Sequence, residues 1–223
     1  MMHSRLFIAV MGLMLLALQP ALFAGSSGEL AVSVGGTYMQ KDLYSFDGPG
    51  GMFELRGAIA LKSAPYISFW GDLSVAGFGI GSLSYKGFSY PPYFIPSVRS
   101  SNQSVYSGHL GLQIATSSRT STVRPHAMLG IGFYHFHEEE AYDLGWEEYL
   151  DFSDNYIDNQ SCLGFKFRLG ADIFVYKRFG LTTGFVYDRI YGYTVKQSDN
   201  GSEKDLDVHL AGFTIGAIWQ FGM

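Results

Sequence analysis

The stretch Leu163-Gly164-Phe165-Lys166-Phe167-Arg168-Leu169-Gly170-Ala171-Asp172-Ile173 decides how the rest of the chain is read. Leucine, phenylalanine, alanine and isoleucine occupy every odd position, while Lys166, Arg168 and Asp172 occupy even ones. Side chains of a strand alternate between its two faces, so this is a strand with an unbroken apolar face and a charged reverse. A water-soluble sandwich or lipocalin-like barrel also alternates, but it turns the apolar face inward and shows water a mixed, heavily charged surface. Here the charges are few and sit mid-strand, opposite the apolar run. That arrangement fits a wall with hydrocarbon outside and polar groups inside.

The same pattern recurs on both sides of this stretch. Leu30, Val32, Val34 and Tyr38 oppose Ala31, Ser33 and Thr37; Phe53, Leu55, Ile59 and Leu61 oppose Glu54 and Arg56. Ile67, Phe69, Leu73 and Val75 oppose Ser68, Trp70, Asp72 and Ser74, and Leu110, Leu112 and Ile114 oppose Ser107, His109 and Gln113. Val123, Ala127, Leu129, Ile131 and Phe133 face away from Arg124, His126 and Tyr134. Leu181, Thr183, Phe185 and Tyr187 oppose Thr182, Gly184, Val186 and Asp188, and the last strand sends Ala211, Phe213, Ile215, Ala217, Trp219 and Phe221 outward against Thr214 and Gln220. The expected fold class is all-β, an eight-stranded antiparallel up-and-down transmembrane β-barrel.

The connections support this order. Long ones are expected near Gln40 to Gly50, Ile80 to Gln103, His137 to Asn159 and Gly192 to Asp205, and short ones at Lys62 to Pro65, Ser117 to Ser121 and Tyr176 to Phe179. Transmembrane barrels alternate in this way, with short periplasmic turns and long extracellular loops. Tyr66, Tyr134, Tyr176, Phe179 and Trp219 are read as an interfacial girdle.

Composition agrees. The chain has 223 residues, 28 glycines, 16% aromatic and 16% charged residues, and a formal net charge of -5, which carries no nucleic-acid footprint. Cys162 is the single cysteine, so no internal disulfide and no thiolate metal cluster are expected. Residues 1–24 read as a signal peptide, with Arg5 before the apolar Leu6 to Leu18 core and cleavage between Ala24 and Ser26; residues 25–223 form the barrel domain. No later stretch is apolar enough for a membrane helix.

Arg124-Pro125-His126-Ala127-Met128-Leu129-Gly130-Ile131-Gly132-Phe133-Tyr134 and the run Asp205 to Phe221 resemble the small outer-membrane β-barrel domain family, the OmpA/OmpX-like group. The resemblance rests on glycine and aromatic placement over nearly all of the mature chain. It implies the cell outer membrane of a diderm bacterium and an envelope or surface role. Members commonly end on an aromatic residue, whereas here Phe221 is followed by Gly222 and Met223.

The candidate site is the inward polar set: Glu54, Arg56, Asp72, His109, Gln113, Arg124, His126, Lys166, Arg168, Asp172 and Asp188. The interior of an eight-stranded barrel is just wide enough to be filled by side chains, so these residues are expected to pair with one another. Counting from the short turns places Arg56 opposite Asp72 and Lys166 opposite Asp188. A narrow passive pore is the alternative use of this interior. The third loop is read as running from His135-Phe136-His137 into the acidic Glu138-Glu139-Glu140; the two histidines share one face and with a carboxylate could ligate a divalent metal, but the stretch is read as a solvated outer rim. Tyr90 to Pro96 is an apolar, rigid stretch for the barrel rim or an exposed partner contact. A lipid A-modifying enzyme is a second alternative, but His126-Ala127-Met128 lacks the H-x-S arrangement such an activity would imply. No catalytic residue, metal or cofactor is expected. Outer-membrane lipid and lipopolysaccharide are the expected partners, with an unknown extracellular partner through the loops, no nucleic acid and a monomeric state.

Overall fold

A computed structural model describes residues 27–41, 48–61, 64–84, 97–116, 121–144, 156–196 and 203–222. Its strands are β1 (Gly28–Lys41), β2 (Gly48–Leu61), β3 (Ala64–Ser84), β4 (Ser97–Ala115), β5 (Val123–Leu144), β6 (Tyr156–Phe174), β7 (Phe179–Lys196) and β8 (Glu203–Phe221). Each pairs antiparallel with its neighbours in sequence, and β1 also pairs β8, which closes the sheet into a barrel. Closure leaves no edge strand, so backbone donors and acceptors along the ladders are satisfied within the wall. No helix occurs among the described residues. The expected signal peptide and the Tyr90 to Pro96 stretch lie outside them.

Both expected register pairs are present: Arg56 stands opposite Asp72 and Lys166 opposite Asp188. Over the Leu163–Ile173 stretch the odd residues face outward, with Leu163 68% exposed, while Lys166, Arg168 and Asp172 are buried. Ile131 at 76% and Phe213 at 69% show that this belt continues around the wall. A run of this length matches the ~9–11 tilted residues that cross a bilayer.

The strands run further than the alternating apolar pattern suggested. β3 continues to Ser84, β5 to Leu144 and β7 to Lys196, while β4 begins at Ser97, β6 at Tyr156 and β8 at Glu203. Segments read as connections near 80–103, 137–159 and 192–205 are therefore partly strand, and His135 and His137 belong to β5 rather than to a loop. The reason is a reversal of polarity along each strand. On β8, Ala211, Phe213 and Ile215 face out below, whereas above them Asp207 and His209 face out and Leu206, Val208 and Leu210 face in. On β5, Phe133 faces outward; beyond it His135 and His137 turn outward and Phe136 turns in. An outward apolar face suits lipid, and an inward one suits water, so a single strand carries both patterns in succession.

Tyr134 corrects the girdle reading. It is fully buried in the lumen, against the His109 ring at 4.9 Å between centroids. Tyr66, Tyr176, Phe179 and Trp219 do face outward, and Phe179 stacks on Trp219 at 6.2 Å. One ladder irregularity lies between Ile190 and Tyr193, where Gly192 adopts φ +75°, a conformation that costs little only without a Cβ.

Candidate functional site

All of Glu54, Arg56, Asp72, His109, Gln113, Arg124, His126, Lys166, Arg168, Asp172 and Asp188 are buried inside the barrel. Each stands on the face opposite the outer apolar belt, so the alternation that greases the wall also charges the lumen. Burying an ion is costly unless partners and hydrogen bonds replace water. Two groups of partners supply these for much of the set, while Asp188 Oδ1 and Arg168 Nε and Nη2 find no hydrogen-bond partner among the described residues.

The first group lies toward the end where β1 begins and β8 ends. Arg124 Nη2 donates to Asp172 Oδ2 at 2.6 Å and also to Glu29 Oε2. Gln113 Nε2 donates to Glu29 Oε1 at 3.1 Å. Arg56 Nη2 lies 3.6 Å from Asp172 Oδ1 and donates to Thr182 Oγ1 at 3.3 Å, while Nη1 reaches Met128 Sδ at 3.1 Å. His126 Nδ1 is 3.4 Å from Asp172 Oδ2.

The second group is nearer mid-barrel. Lys166 Nζ donates to Glu54 Oε2 at 3.0 Å and to Asp72 Oδ2 at 2.8 Å, and Arg168 Nη1 donates to Glu54 Oε1. His109 Nδ1 lies 2.5 Å from Asp72 Oδ1. Glycines make room for the rings, since a Cβ on Gly132 would collide with His109 and one on Gly170 would crowd His126.

The partners differ from those register alone suggests. Arg56 stands opposite Asp72 in the ladder, yet its ion pair is with Asp172 on β6. Lys166 stands opposite Asp188, yet it pairs with Glu54 and Asp72. Long side chains pointing into a narrow lumen reach the far wall as readily as the neighbouring strand. Glu29, absent from the expected set, is 2% exposed and holds both Arg124 and Gln113. Its signal is its parity with Ala31 and Ser33 on β1, which puts it one step beyond the residue at which the apolar pattern starts.

Above the charged tiers the lumen becomes apolar. Met39, Met52, Phe78, Val105, Phe136, Ile190, Tyr193, Val208 and Leu210 form one buried cluster with Cys162. Over it Glu138 accepts from Tyr193 OH at 3.0 Å and from Gln103 Nε2 at 3.4 Å, and Gln160 exchanges hydrogen bonds with the Thr194 backbone. On the outer wall the His135 ring meets Ser161 Oγ at 3.1 Å and the His137 ring meets Asn159 Oδ1 at 2.9 Å. Each ring thus faces its cross-strand neighbour on β6.

Among solved structures, a major outer membrane protein from Thermus thermophilus matches with a TM-score of 0.54 and 13% identity, over 87% of this chain and 99% of that one. Neisserial surface protein A matches at 0.50 and 14%, over 87% and 97%. Ail, the attachment invasion locus protein of Yersinia pestis, matches at 0.48 and 16%, over 87% and 99%. The fold is that of the small outer-membrane barrels. No protein-family profile and no curated protein matches the sequence. At these identities the likeness speaks for the barrel's architecture, and an architecture of this kind hosts more than one activity.

Proposed function

We propose that the protein is an integral outer-membrane β-barrel of a diderm bacterium, with a structural, envelope-integrity or surface-interaction role and no enzymatic activity. The observation that carries this reading is the reversal of polarity along the strands. Below Phe133, Leu163, Tyr187 and Ala211 the wall is apolar outside and charged inside; above them it is polar outside and apolar inside. The lower part suits hydrocarbon. The upper part has the pattern of a water-soluble barrel standing clear of the lipid, with Lys41, Gly48, Ser84, Ser97, Leu144, Tyr156, Lys196 and Glu203 at its far end. In this reading that end is extracellular, the end where β1 begins and β8 ends is periplasmic, and the surrounding molecules are phospholipid and lipopolysaccharide.

The interior supports a rigid support more than a passage. Ion pairs cross the lumen at two levels, and an apolar cluster fills it above them. The test is heat-modifiable gel migration of the protein in isolated outer membranes. A folded barrel that shifts only after boiling is expected. Recovery in the soluble periplasmic fraction would overturn the reading.

A further inference from the structure

Where the outer wall changes from apolar to polar, β1, β7 and β8 build a cradle of hydrogen-bonding side chains. Register places Gln40, His209 and Arg189 side by side on these strands, all on the outer face. The row below is Tyr38, Ala211 and Tyr187, in which a small alanine leaves a notch between two tyrosines. Adjacent strands lie about 4.8 Å apart, so the notch and the row above it span one headgroup's width.

The cradle is held in shape from above and below. Arg189 Nη2 and Nε both donate to Asp207 Oδ2, at 2.7 and 3.1 Å, and its guanidinium lies 5.1 Å from the Tyr191 ring centroid. This fixes the plane of the guanidinium and directs Nη1 away from Asp207. The arginine remains 43% exposed. Tyr187 OH meets His209 Nδ1 at 2.7 Å, which sets the imidazole over the notch. Asp205, the next outward acid, is engaged by Thr194 Oγ1 at 3.0 Å. Below the cradle Phe213 and Phe185 continue the apolar belt, edge to face at 5.4 Å.

The geometry points to a binding site for a phosphorylated lipid headgroup, with the phosphate against Arg189, His209 and Gln40 and the acyl chains running down past Ala211 and Phe213. Arginine beside further hydrogen-bonding side chains is the chemistry that recognises phosphate, and a site at the upper edge of an apolar belt meets that phosphate on a lipid. The assignment rests on the membrane reading above and adds to it a defined place and ligand class.

The test uses the full chain in dodecyl maltoside micelles, with bisphosphorylated lipid A and its phosphate-free analogue as probes and native mass spectrometry as the readout. The unaltered protein is expected to retain the phosphorylated lipid. Arg189→Ala and His209→Ala each lower retention roughly tenfold, the loss that follows from removing one hydrogen bond to a charged group. Arg178→Ala, at the opposite end of the barrel, leaves retention unchanged. Heat-modifiable migration checks that each variant is folded. Equal retention by Arg189→Ala, equal retention of the phosphate-free analogue, or equally tight binding of inorganic phosphate alone overturns the site. Failure of the protein to float with lipid vesicles overturns the membrane reading and the site together, whereas flotation without dependence on Arg189 overturns only the site.

Discussion

Glu54 on β2 and Lys166 on β6 lie four strands apart around an eight-stranded ring, diametrically opposite, and Nζ meets Oε2 at 3.0 Å. Glu29 on β1 and Arg124 on β5 stand in the same relation, as do Arg56 on β2 and Asp172 on β6. These braces tie opposite walls directly, a constraint that ladder hydrogen bonds between neighbouring strands do not supply.

Glu54 holds both Lys166 and Arg168. Removing it takes away the Arg168 ion pair and leaves Lys166 with Asp72 alone, so Glu54→Ala is expected to destabilise the barrel by about 3–5 kcal/mol. Urea unfolding in lipid vesicles, followed by tryptophan fluorescence, measures it. A change within ~0.5 kcal/mol would contradict the brace.

Arg56 offers a sharper test, because register and geometry name different partners. A double-mutant cycle between Arg56→Leu and Asp172→Asn should give a coupling of about 1–3 kcal/mol, against a smaller value for Arg56→Leu with Asp72→Asn. Larger coupling to Asp72 would show that the neighbouring strand takes the ion pair after all.

His109 packs over Gly132 while its Nδ1 reaches Asp72. Gly132→Ala should push the ring off this acid and cost about 1–3 kcal/mol by overpacking, whereas alanine at Gly51, where an added Cβ meets nothing within 4 Å, should lack that penalty. Parallel unfolding curves of the two variants decide it.

Polarity reversal predicts a depth profile. Phe167→Arg, within the apolar belt, should cost about 2–4 kcal/mol in a bilayer, and Ser161→Arg, above it, about 0–1 kcal/mol. Similar penalties at both positions would place the lipid boundary elsewhere.

Phe78 and Phe136 are both buried in the apolar tier. The protein is expected to show no single-channel steps in planar bilayers, and Phe136→Ala should cost about 3–5 kcal/mol of stability. Regular conductance steps from the unaltered protein would restore the pore alternative.

Much of the fold is legible in the chain. The alternation of Leu163 to Ile173 and its counterparts places eight strands and both faces of each, because period two is a local property of the backbone. Glu29 escapes such a reading because the apolar face of β1 begins at Leu30, and the inward apolar tier escapes it because its alternation runs out of phase with the belt beneath. Leu206, Val208 and Leu210 against Asp205, Asp207 and His209 carry that shift. Tyr134 shows the opposite error: an aromatic ring near a strand end reads as an interfacial anchor, whereas its parity with His126 puts it inside.

The sequence by itself determined that the apolar residues of the belt face outward and the mid-strand charges face the lumen, since each residue's side of a strand follows from its neighbours alone. Only the tertiary structure decided which charges meet. Partners in a closed ring are chosen by reach across a narrow interior, and that distance exists only once β1 has joined β8. The same closure brought Gln40 of β1 beside His209 and Arg189, which the pairing of β7 with β8 already places together on the outer wall.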